Sequence, residues 1–88
     1  MKKNRVAETL LCWHEDMNSC PLYTLGSRLE NGKEIDLNLV EDAKFKLMSI
    51  YDGDYGHELD MADCWEIENV IIWLNKCITN YSKVAVAA

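Results

Sequence analysis

Basic residues are scarce in this chain: nine Lys and Arg stand against fifteen Asp and Glu, a net charge of −6. The average field repels nucleic-acid phosphates and anionic headgroups, which argues against direct binding of nucleic acid or of a membrane surface. Long apolar runs are missing as well. Val70-Ile71-Ile72-Trp73-Leu74 is five residues and no run is longer, whereas a helix needs about 20 apolar residues to cross a bilayer. Met1-Lys2-Lys3-Asn4-Arg5 has the charge of a signal-peptide opening, but Glu8 and then His14-Glu15-Asp16 break the stretch that follows, so no export signal is visible. The expected location is the cytoplasm, and Cys12, Cys20, Cys64 and Cys77 are expected as reduced thiols. The chain lacks a glycine-rich phosphate loop, a nucleophile elbow and a metalloprotease helix. It has no Cys-x-x-Cys pair. Cys12 and His14 would point about 200° apart on a helix, which weakens both a zinc site and a Cys–His nucleophile. The expectation is a protein that is not an enzyme and holds neither cofactor nor metal.

What is present reads as a single helical domain. Apolar residues make up 49% of the 88 and charged residues 27%, the balance of a chain that folds around one core. Val6, Leu10, Trp13 and Met17 share one face at helical spacing, widened by Ala7 and Leu11, and predict a helix over about 4–18 with Asn4 as its N-cap. Pro21 disfavours helical geometry in the residue before it and closes that segment. Over 19–37 the signals conflict: Leu22, Leu25 and Leu29 keep helical spacing, while Gly26 interrupts them and Asn31-Gly32 marks a turn. A β-hairpin about Asn31-Gly32 would leave neither face cleanly apolar, so a short helix or irregular connection is expected there.

Asn38 and Glu41 have the form of a capping box, and Val40, Ala43, Leu47 and Ile50 predict a helix over about 38–51. The strongest periodicity runs over about 61–82, with Asp60 as cap and Cys64, Ile67, Ile71, Leu74, Ile78 and Tyr81 alternating 3 and 4 apart. The expected fold class is all-α, a small bundle of three main helices (about 4–18, 38–51 and 61–82), with residues 1–83 as the domain and 84–88 as a flexible tail. The last helix has a second apolar stripe, Val70, Trp73 and Cys77, and a partial third in Ile72 and Trp65. Three helices of this size cover only part of such a surface, so a self-contact or a partner protein is expected to cover the rest.

The acids are concentrated. Asp52, Asp54, Glu58, Asp60, Asp63, Glu66 and Glu68 fall within seventeen residues that contain no Lys or Arg. The segment Asp52–Asp63 resembles the twelve-residue calcium loop of EF-hands, with Asp52, Asp54, Asp60 and Asp63 at ligand positions 1, 3, 9 and 12 and Leu59 at the apolar position 8. It departs from that pattern where Gly56 and His57 occupy positions 5 and 6 and where Asp63 replaces the bidentate glutamate, and the departures favour a solvated acidic turn. The final residues, Asn80 to Ala88, resemble the end of the peptide tag that bacteria add to stalled translation products, which would imply a short-lived bacterial or phage protein; a frayed tail without a role is the plainer reading.

Phe45 lies between Lys44 and Lys46, about 100° from the Val40–Leu47 stripe, and is expected to be exposed. Exposed aromatics are enriched among interface anchors. The candidate partner-binding residues are therefore Phe45, Asp52, Asp54, Tyr55, Glu58, Asp60, Asp63, Trp65, Glu66, Ile72 and Trp73; for Trp65 the plainer expectation is packing beneath the acidic linker. Acidic charge beside apolar surface points to a small protein-binding module that inhibits or antagonises another protein, as immunity, anti-defence and anti-restriction proteins do. A basic, nucleic-acid-handling protein is the natural target. The alternative is a self-associating structural or regulatory helical domain, a homo-oligomer; a metal protein or an enzyme comes after both.

Overall fold

A computed structural model describes residues 2–17, 20–54, 56 and 58–87, with the side chains of 2–13, 21–54, 56 and 58–80. Among the described residues the chain is all-helical and has no strand: α1 (Lys3–Met17), α2 (Cys20–Glu30), α3 (Leu37–Tyr51) and α4 (Met61–Ala87). The bundle has four helices and not three, because residues 20–30 form a full helix. Pro21 lies in the first turn of α2, where the missing N–H has no intrahelical partner to lose, so one residue helps to end α1 and to begin α2. Gly26 does not interrupt α2. A Cβ built there would lie 2.9 Å from Leu11 Cγ on α1, so the bare backbone is what lets the two helices approach.

Several of the described helix ends have an identifiable device. Val6 N donates to Lys2 O (3.0 Å), which places Asn4 inside the first turn of α1 and not at its cap. α2 ends in a Schellman motif: Gly32 is left-handed (φ +67°), with Gly32 N on Leu29 O (3.4 Å) and Lys33 N on Arg28 O (2.9 Å). The Asn31-Gly32 pair is thus a helix stop. α3 is capped by Asp36 and not by Asn38: Asp36 is extended (φ −102°, ψ 161°) and its Oδ1 accepts from Leu39 N at 2.7 Å. α3 ends as α2 does, with Gly53 at φ +85° and Asp54 N on Ser49 O (3.1 Å). At α4 the expected cap holds. Asp63 N donates to Asp60 Oδ1 (2.8 Å) and Asp60 N to Asp63 Oδ2 (3.4 Å), a reciprocal pair that satisfies two backbone donors.

The helices form a ring in which α1 packs on α2, α2 on α3, α3 on α4 and α4 back on α1, while among the described residues the backbones of the diagonal pairs do not come close. Inside it lie Val6, Leu10 and Trp13 of α1, Leu22, Leu25 and Leu29 of α2, Val40, Ala43, Leu47 and Ile50 of α3, and Ile67, Val70 and Leu74 of α4. Each large aliphatic chain buried here contributes about 1.5–3 kcal/mol against its exposed state. The buried line on α4 is turned toward Val70 relative to the expected one, because α4 packs against α1 on one side and α3 on the other; Ile71 and Ile78 sit at its margin. α4 continues beyond Ser82 to Ala87, so the residues expected as a flexible tail are helical as far as Ala87. Its 27 residues are about 40 Å long, close to the 43 Å long axis of the molecule. No helix among the described residues is long and apolar enough to cross a membrane.

Candidate interaction surface

The side of α3 and α4 turned away from the core carries most of the large exposed apolar side chains. Phe45 and Met48, one turn apart on α3, are 73% and 43% exposed, and Met61, Trp65 and Ile72 on α4 are 90%, 64% and 52% exposed. Positions 61, 65 and 72 follow one line along a helix, so the three α4 residues form a ridge. Between α3 and the ridge runs an open groove of about 440 Å³ lined by Met48, Tyr51, Asp52, Glu68, Ile71 and Ile72. Its floor is tied across by Tyr51 Oη, which donates to Glu68 Oε1 at 2.5 Å. That bond, followed by the negative charge of Glu68, raises the Tyr51 phenol above its ordinary pKa of 10.0.

The acids divide by what they touch. Glu66 faces α1: Arg5 pairs with its Oε1 at 2.8 Å, and Thr9 Oγ1, which donates to Arg5 O (2.9 Å), also reaches that oxygen at 3.3 Å. Asp60 and Asp63 cap α4, so both carboxylates already have helical backbone partners. Asp52, Asp54 and Glu58 are exposed, and among the described residues none of the three pairs with a Lys or Arg. Glu58 also lines a polar cleft of about 490 Å³ between α1 and the start of α4, with Arg5, Glu8 and Asp63. Among the described residues no three His, Cys, Asp or Glu stand together as metal ligands would.

Ile72 and Asp52 line the same groove between α3 and α4, Phe45 and Asp54 are exposed nearby in sequence on α3 and just after it, and Trp65 borders Lys2, Arg5 and Asn69 beside the start of α1. Trp65 stands in solvent and does not pack beneath the linker, because the Asp60 cap starts α4 in a register that turns position 65 outward. Trp73 packs partly buried against the core. Tyr55 lies outside the described residues, as do His57, the side chain of Cys20 and the side chains of the tag-like C-terminus after Asn80. Sequence reasoning missed Met48, Tyr51, Glu68 and Met61. The first follows from Phe45, since an exposed position on a helix shares its side with the residue three later. Cys64 and Cys77 are unpaired thiols, and burial raises the pKa of the Cys77 thiol. Compared with protein families, with curated proteins and with solved structures, this chain matches none of them.

Proposed function

We propose that this chain is a protein-binding module that antagonises another protein in the cytoplasm by covering a basic part of its surface. The contact is made by the acidic end of the bundle, where the connection between α3 and α4 meets the first turns of α4. One observation carries the reading: Asp52, Asp54 and Glu58 are exposed and unpaired with any described Lys or Arg, and beside them Met61, 90% exposed, opens α4. Uncompensated carboxylates accelerate encounter with a cationic surface, and an apolar side chain within the same patch slows release once water is excluded. A target that handles nucleic acid carries such a surface already, since it must attract phosphates.

The test is capture from host lysate by tagged wild-type chain and by the Asp52→Asn/Asp54→Asn/Glu58→Gln variant, in low and high salt. The substituted positions are exposed and outside the caps of α4, so the variant keeps its fold. A partner held by the wild type in low salt should be lost by the variant and released as salt rises. Retention by the variant, or binding indifferent to salt, overturns the proposal.

A further inference from the structure

The ridge of α4 carries a charge pattern that a second copy of the same helix completes. Ile72 is at its middle, Glu68 lies four residues before it and Lys76 four residues after, and all three are exposed. Four-residue steps keep such positions on one side of a helix. Within one chain Glu68 and Lys76 are about 12 Å apart along the axis, too far to pair. Among the described residues Lys76 has no carboxylate partner.

We propose that α4 pairs antiparallel with α4 of a second copy about a two-fold axis at Ile72. With Ile72 facing its own copy, Glu68 of each chain meets Lys76 of the other. Trp65 then lies over Thr79 of the other chain, and Phe45 and Met48 flank the seam from α3. A closed two-fold contact requires such self-complementarity, with residue i on j and j on i. Parallel pairing would set Glu68 on Glu68 and Lys76 on Lys76, and is repelled. The antiparallel arrangement also opposes the two helix dipoles and carries the two acidic ends to opposite extremes of the dimer, which limits the repulsion between chains of net charge −6. It covers Ile72 and Trp65, and leaves Asp52, Asp54 and Glu58 of each copy, on the connection that precedes α4, in solvent.

The mass in solution decides, measured by sedimentation equilibrium over a wide concentration range without any target protein. The wild type should approach twice the 10.1 kDa of one chain as concentration rises. Ile72→Glu and Lys76→Glu should each stay at the single-chain mass with an unchanged far-ultraviolet helix signal, and Lys76→Glu leaves the Tyr51–Glu68 bond in place. The double swap Glu68→Lys/Lys76→Glu reverses both pairs and should restore the twofold mass. A wild type that stays at one chain mass throughout, a dimer that persists in Ile72→Glu, or a double swap that remains single overturns the proposal. The Asp52→Asn/Asp54→Asn/Glu58→Gln variant should dimerise as the wild type does, so failure of the dimer and failure of the acidic contact are read separately.

Discussion

Gly26 of α2 lies against Leu11 of α1 so closely that a Cβ built on it would stand 2.9 Å from Leu11 Cγ and 3.2 Å from the Ala7 carbonyl oxygen. Neither atom swings aside easily: Cγ is the branch point of the leucine and the oxygen belongs to the backbone. Alanine would gain about 1 kcal/mol over glycine in a helix interior, and overpacking a close contact costs about 1–3 kcal/mol. The steric effect should win. Gly26→Ala is expected to lower the stability measured by urea unfolding by about 1 kcal/mol, and Gly26→Leu by more. Adding Leu11→Ala to Gly26→Ala should cost less than the sum of the two single changes, since it empties the space the new methyl needs. A Gly26→Ala protein more stable than the wild type would show that the close approach is not needed.

At the other end of the bundle, Asp60 and Asp63 exchange side-chain-to-backbone bonds at the start of α4. The 2.8 Å bond from Asp63 N to Asp60 Oδ1 is much the shorter of the two. Asp60→Ala should therefore cost about 1 kcal/mol, and Asp60→Asn or Asp60→Ser only a fraction of that, since both replacements still accept from the backbone. Asp63→Ala should cost less than Asp60→Ala, and thermal unfolding of the four variants ranks them. If Asp63→Ala proves the more damaging, its carboxylate does something beyond returning a long bond to Asp60 N.

The core was legible because burial follows periodicity directly: Val40, Ala43, Leu47 and Ile50 repeat at helical spacing, and all four are buried. α2 was obscured by two residues whose local preference is against helix and whose placement is set by tertiary structure. Pro21 is tolerated in a first turn, and Gly26 is required by Leu11 of another helix, about 50 Å away along the extended chain, which local preference does not register. The cap of α3 moved from Asn38 to Asp36 because both residue types cap well and only the backbone angles choose between them. In the candidate surface, exposure of Phe45 followed from its helical angle, and exposure of Trp65 needed the register that the Asp60 cap imposes. The division of the acids into paired and unpaired was not legible at all, since Arg5 and Glu66 are brought together by the fold across most of the chain.

The hydrogen bond from Tyr51 to Glu68 gives the groove a spectroscopic signature. A phenol that donates to a carboxylate, and then feels its charge, holds its proton to a pH above 10.0. The folded-state pKa is thus above the unfolded one. The stability gained is present in full below the unfolded value and is lost as pH rises through the folded value. In an alkaline titration followed at the phenolate band, the wild-type minus Tyr51→Phe difference should rise later than an ordinary tyrosine, and Glu68→Gln should move that rise earlier. A Tyr51 that titrates as an ordinary phenol would show that the bond does not persist in solution.

Ile67 and Ile72 test in one helix whether the ridge is separate from the core. Ile67 is fully buried and Ile72 is 52% exposed, and five residues set them about 140° apart around the axis. Ile67→Ala should cost about 2–5 kcal/mol through the cavity it leaves. Ile72→Ala should change the stability of a single chain by no more than about 0.5 kcal/mol. Any association through the ridge adds a term that depends on concentration, because a partner that binds only the folded chain raises its midpoint by mass action. The melting temperature of the wild type should therefore rise with protein concentration, while that of Ile72→Ala stays flat and meets the wild type at high dilution. If the two differ equally at every concentration, Ile72 acts within its own chain and the ridge is not a surface of association.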